Sequence, residues 1–168
     1  MSSSTPWTIA TKNSTSSTGS DSVWAFAQRV NTDISTNLNN LTPTEVPIDG
    51  AILTNGTGWA INGNGIELTG SDSFVKCTVN LHITAAFNRA NLLVRFRLNG
   101  VAFGPIGASG YIRNATGHNE SSITITTWVS MTTGDVITVE TLREAGAGTI
   151  TMDTAGTSQL LLERLVNV

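Results

Sequence analysis

The chain has 168 residues and a mass of 17.7 kDa, which predicts one domain with a modest extension and leaves no room for a second core. Charged residues are only 12% of the sequence, against about 25% in a typical soluble domain, so Ser, Thr, Asn and Gly carry most of the polarity. A net charge of −3 excludes the concentrated basic face that a nucleic-acid partner requires, and no apolar run approaches the roughly 18 residues of a membrane span.

Residues 2–20 form a Ser/Thr-rich arm with Trp7 and Ile9 as its apolar anchors. Two such groups bury too little surface to order the arm alone, so it is expected to dock on a neighbouring chain. No positive region leads into an apolar segment near Met1, so the expectation is a chain made and used without secretion. From 21 to 41 the apolar period changes, with Val23, Ala27, Val30, Ile34 and Leu41 on a 4-3-4 spacing. That spacing predicts a short helix, capped by Ser20, Asp21 or Ser22 and followed by Pro43. The helix would lie on its own sandwich or a partner, or self-associate as a bundle. Residues 1–47 are therefore read as an anchoring arm and helix that docks through Trp7, Ile9, Val23, Val30 and Ile34. A β-domain is expected over 48–168.

Within that domain the apolar side chains fall on every second position. Val75, Cys77, Val79, Leu81 and Ile83 alternate with Lys76, Thr78, Asn80, His82 and Thr84. Leu92, Val94, Phe96 and Leu98 alternate with Arg95, Arg97 and Asn99, and Ile123, Ile125 and Val129 repeat the pattern. A period of two with one dry face predicts antiparallel strands of an all-β sandwich. Asn99-Gly100 is the preferred pair for a two-residue hairpin turn joining Leu98 to Val101. The glycine-rich stretch 104–117 reads as a long surface connection, and Gly134-Asp135 as the turn into a strand over 136–142. Cys77, the single cysteine, sits at an apolar strand position and is expected to be inert core.

The last strand, 158–166, places Leu160, Leu161, Leu162, Leu165 and Val166 on both faces. A sandwich in water needs one dry face, so the second predicts a subunit interface, unless the 21–41 helix covers it.

Catalytic chemistry is missing from the pattern. The histidines, His82 and His118, lack a partner at ligand spacing, and His118 with Glu120 falls short of the three or four protein ligands of a zinc centre. No nucleophile elbow, phosphate loop or dinucleotide fingerprint occurs. The expectation is a non-enzyme with no metal and no cofactor. Arg89, Arg95, Arg97 and Arg113 form a basic group, explained either by cross-strand pairing with Glu140, Glu144 or Glu163 or by a polar seam onto another surface.

The runs FNRANLLVRFRLNG at 87–100, GYIRNATGHNESS at 110–122 and TGDVITV at 133–139 resemble the tumour-necrosis-factor-like and complement-globular-head jelly rolls, in the version found in tailed-phage virion structural proteins. The resemblance covers 48–168. It implies an antiparallel jelly-roll sandwich packed as a tight homotrimer about a threefold axis, with the leucine-rich last strand at that axis. The chain departs from the animal members in having no collagen stalk, signal peptide or paired cysteines, so receptor signalling does not carry over. The expected role is a virion part assembled in the host cytoplasm. As a capsid decoration or cement protein it would dock on the major capsid protein, or another virion protein, through its arm. The alternative is a receptor-binding knob of a tail fibre or spike, recognising host glycan through Tyr111, Arg113, Asn114, His118 and Asn119. Neither role involves nucleic acid or membrane.

Overall fold

The computed structural model describes residues 22–113 and 117–167, with the side chains of 25–113 and 117–164. Strands β1 (Ser22–Val30), β3 (Ile52–Asn55), β6 (Ser73–Ala85), β9 (Glu120–Met131), β11 (Ile150–Met152) and β12 (Gln159–Asn167) make one antiparallel sheet. In space it runs β3-β1-β12-β6-β9, with β11 continuing the β12 side of β6. Strands β2 (Thr44–Glu45), β4 (Trp59–Asn62), β5 (Gly65–Leu68), β7 (Asn91–Leu98), β8 (Val101–Ala108) and β10 (Val136–Ala145) make the second, in the order β4-β5-β10-β7-β8 with β2 on β10. The sheets pack face to face as an antiparallel jelly-roll sandwich.

Alternation in the sequence is alternation in space. Val75, Cys77, Val79, Leu81, Ile83 and Ala85 of β6 are all buried between the sheets, opposite Leu92, Val94 and Phe96 of β7 and Ile137 and Val139 of β10 in the same core. Asn99 and Gly100 both take positive φ, 51° and 81°, and close the β7–β8 hairpin at Leu98 and Val101 as expected. The stretch 104–117 is only partly a connection, because β8 continues through Gly104, Pro105 and Gly107 to Ala108. A Cβ on Gly107 would collide with Ile125, so glycine there lets β8 lie close against β9 and seal one side of the core.

Among the described residues of 21–41 the expected helix is absent; nine of them, Ser22–Val30, are the strand β1, inserted between β12 and β3. Its inward positions are Ala25, Ala27 and Arg29, a period of two that the 4-3-4 reading missed because two of the three are small and one is charged. The rest of the stripe forms no face: Ile34 is 48% exposed and Leu41 76%, whereas Leu38 is fully buried. Side chains capture the backbone that a helix would have used. The Asp33 carboxylate accepts from the N–H and hydroxyl of Ser35 and from Thr36, and Asp49 accepts from Thr32 and Asp33. Those bonds, that from the Thr36 hydroxyl foremost, hold Asp33 down at a pKa of about 2. The sandwich thus takes in β1 and β2, and the boundary expected at 47/48 falls inside it.

Two arginines face inward and bridge the sheets through hydrogen bonds to turns. Arg29, from β1, donates Nε to the Gly50 carbonyl at 3.0 Å, and Nη1 to those of Gly63 and Gly65 at 2.9 and 2.8 Å, on the β4–β5 hairpin. Arg164, from β12, donates Nη1 to Ser71 O at 2.9 Å and Ser73 Oγ at 3.0 Å, and Nη2 to Thr57 O at 3.1 Å, while its guanidinium lies 5.2 Å from the centre of the Trp59 ring. A Cβ at Gly58 or Gly70 would strike that guanidinium, which is why both turns carry glycine. Burial pulls both arginine pKa values down; the hydrogen bonds to the turns compensate in part, and the Asp49 charge opposes the shift at Arg29.

Leu162→Ala, which empties a fully buried site, is expected to lower the unfolding free energy by about 2–5 kcal/mol. Arg164→Met, which strands the carbonyls it caps, should cost about 2–3 kcal/mol. Both are read from urea midpoints. Burial pushes the Cys77 thiol up from its ordinary 9.0 to about 12. It should therefore resist a thiol-specific reagent at neutral pH until the chain is denatured. Because the unfolded thiol ionises first, its contribution to stability should be full below pH 9.0 and fall as pH climbs through about 12.

Candidate functional site

Two surfaces stand out, the outward face of the first sheet and a cleft beside its end. Register defines the outward face as rows running across the strands. One row reads Trp128, Lys76, Glu163, Phe26, Asn55, and the next Thr126, Thr78, Leu161, Gln28, Leu53. A third reads Thr124, Asn80, Gln159, Val30.

Phe74 and Trp128 stack with ring centroids 5.4 Å apart and planes 8° from parallel, yet they remain 60% and 46% exposed. Leu53 is 61% exposed on the far strand, with Phe26 and Leu161 half-buried between. The polar positions of these rows are hydroxyls and amides bonded to one another: Thr78 to Thr126 at 3.1 Å, Thr124 to Asn80 at 3.1 Å, Gln28 to Gln159 at 2.5 Å. Among the described residues one ion pair, Lys76 to Glu163 at 2.8 Å, lies on these rows, within the first. Self-satisfied and nearly neutral, such a face loses little on desolvation.

The residues expected at a subunit interface separate here. Leu160 and Leu162 point into the core of their own chain and are fully buried, because β12 is a central strand whose inward side meets the second sheet. Leu161 is the one that faces outward. The side chains of Leu165 and Val166 lie outside the described residues, as do Trp7, Ile9 and the side chain of Val23. Val30 ends β1 half-buried within the sheet, and Ile34 lies exposed in the following loop, so neither stands on an anchoring helix. Phe74 and Trp128, absent from the expected interface set, were legible as aromatic residues on the polar phase of their strands.

The second surface is an open cleft of about 310 Å³ at one end of the sandwich, lined by Tyr111, Arg113, Gly117, His118 and Glu120. Three of the expected ligand residues, Tyr111, Arg113 and His118, meet there. Asn119 does not join them: its carbonyl accepts from the Ala85 N–H at 3.0 Å and the Thr84 hydroxyl at 3.1 Å, pinning the loop to β6. Asn114 lies outside the described residues. Glu120, which lines the cleft, also places Oε2 3.3 Å from Nε2 of His82.

Two members of the basic group, Arg95 and Arg97, are explained by pairing. Arg95 and Arg97 flank the buried Glu140, the first through a direct Nε bond and the second at 3.3 Å, and Lys76 takes Glu163. Glu144 is taken by Asn91 instead of an arginine.

No family model matches this chain, and no curated protein matches it in sequence. Solved structures are similar to it in fold. Murine APRIL at pH 5.0 is 12% identical with a TM-score of 0.57, covering 84% of this chain and 99% of that one. Eiger TNF from S. frugiperda is 11% identical at 0.54, with 86% and 93% covered. The PRD1 vertex protein P5 is 15% identical at 0.55, with 86% and 97% covered. These likenesses establish the tumour-necrosis-factor-like jelly-roll fold.

Proposed function

We propose that this chain is a structural protein of a virion, a homotrimer joined through the outward face of its first sheet. It decorates and stabilises the phage head by docking its N-terminal segment on the major capsid protein. The observation that carries this reading is the outward face itself, where Phe74, Trp128, Leu53, Leu161 and Phe26 line neutral rows of a sheet that a solitary sandwich would keep wet. Burying each Phe or Leu of that set contributes roughly 1.5–3 kcal/mol, and repetition around an axis multiplies the contribution by the number of subunits. The likeness to a phage vertex protein over nearly its whole length supports the virion setting. In this reading the chain is no enzyme and needs no cofactor. It acts by mass action, since a protein that binds only the assembled shell shifts the equilibrium towards it.

The cleft favours a second reading, a receptor-binding knob of a tail fibre or spike. Tyr111 offers a face on which a sugar ring stacks, and Arg113 and His118 offer hydrogen bonds beside it. Electron cryomicroscopy of the intact particle separates the two: density distributed over the shell supports decoration, and density confined to the tail supports the knob.

Light scattering of the purified chain should give three times its 17.7 kDa mass, and Phe74→Glu combined with Trp128→Glu should give monomers that keep the β-sheet circular dichroism. A monomeric wild type, or an unaltered trimer in the double variant, refutes the proposed interface.

A further inference from the structure

At the end of the first sheet, next to the cleft, three side chains with metal-binding chemistry converge from β6, β9 and the residue after β11. His82 stands on the outward phase of β6. Asp153 follows β11 directly, and its N–H donates to the His82 carbonyl at 3.0 Å, so the two residues face each other across the ladder. Glu120 opens β9 opposite Thr84, which sets it diagonally from His82 on the same face. One donor atom from each residue lies within 4.8 Å of the others.

We infer that His82, Glu120 and Asp153 form a binding site for a divalent first-row metal ion, with zinc the preferred occupant. Two ligands bound to one zinc at about 2.0–2.2 Å lie roughly 3–3.5 Å apart, and Nε2 of His82 already stands 3.3 Å from Oε2 of Glu120. The other ring nitrogen, Nδ1, lies 3.8 Å from Oδ2 of Asp153, which is itself held by the Thr154 hydroxyl at 2.7 Å. Asp153, with a carboxylate oxygen inside the same 4.8 Å cluster, is the third protein ligand that a zinc site needs. Its charge, added to that of Glu120, also favours a cation. The imidazole selects zinc over calcium and magnesium, which prefer all-oxygen shells. Glu120 is half exposed and lines the cleft, so the remaining coordination positions open to water there.

Bonds along the ladder hold two of the three backbones in place before any ion arrives, so little ordering opposes binding. Among the described residues the ion-pair partner of Glu120 is His82 rather than an arginine, although Arg113 shares the cleft.

Isothermal titration of the full chain with zinc chloride, repeated with calcium and with magnesium chloride, tests the inference. One zinc per chain is expected, with no heat from the other two ions. Glu120→Gln, His82→Asn and Asp153→Asn should each abolish binding, since each removes one of three protein ligands. Glu120→Gln is isosteric and exposed, and unchanged circular dichroism confirms that its loss of binding is local. Cobalt(II) gives a second readout, a visible absorption band that titrates with the wild type and is absent from Glu120→Gln. Absence of zinc binding in the wild type, zinc affinity unaltered by Glu120→Gln or His82→Asn, or calcium bound as tightly as zinc would overturn it.

Discussion

The structure depends on one constraint, the alternation along β6. Its thirteen residues carry six inward side chains, from Val75 to Ala85, and pair with β9 on one side and with β12 and β11 on the other. A slip of one residue would move all six into water and bring Lys76, Thr78, Asn80, His82 and Thr84 into the core, which no local rearrangement can compensate. That penalty sets the register of the neighbours. Through β12 it sets that of β1 and β3, and so it decides which residues meet in each outward row.

The two arginines finish what the strands begin. Arg29 and Arg164 sit on inward phases of adjacent strands, where an apolar residue would be expected, and each reaches turns that the core cannot hold by burial. Carbonyls at turns have no ladder partner and would be costly to bury unpaired. A guanidinium, with five donors in a planar fork, satisfies several at once. The glycines at 58 and 70 are the counterpart of this choice, leaving the room the fork occupies.

The two candidate surfaces differ in character. The outward face of the first sheet is broad, neutral and aromatic at one side, the character of a surface that another polypeptide covers. The end that carries Tyr111, Arg113, His118, Glu120 and His82 is polar and concave, the character of a place that holds something small. The face is built on paired strands, and Asn119 ties the end of the loop that leads into β9 to β6.

The period of two at 75–83, 92–98 and 123–129 determined the sandwich, because alternation is a local property that survives into the folded state, and Asn99-Gly100 determined its hairpin because both residues tolerate positive φ. The 21–41 segment was not legible. Ala25 and Ala27 carry little hydrophobic signal, Arg29 reads as solvent-exposed, and only the gap between β12 and β3 makes a strand of them. The leucines of 160–162 read as dry on two sides, but which side meets its own core depended on β12 being central, a fact of topology and not of composition. The meeting of His82, Glu120 and Asp153 was decided by tertiary structure alone, since residues far apart in the chain become neighbours only when antiparallel registers align them, and no spacing in the sequence encodes that alignment.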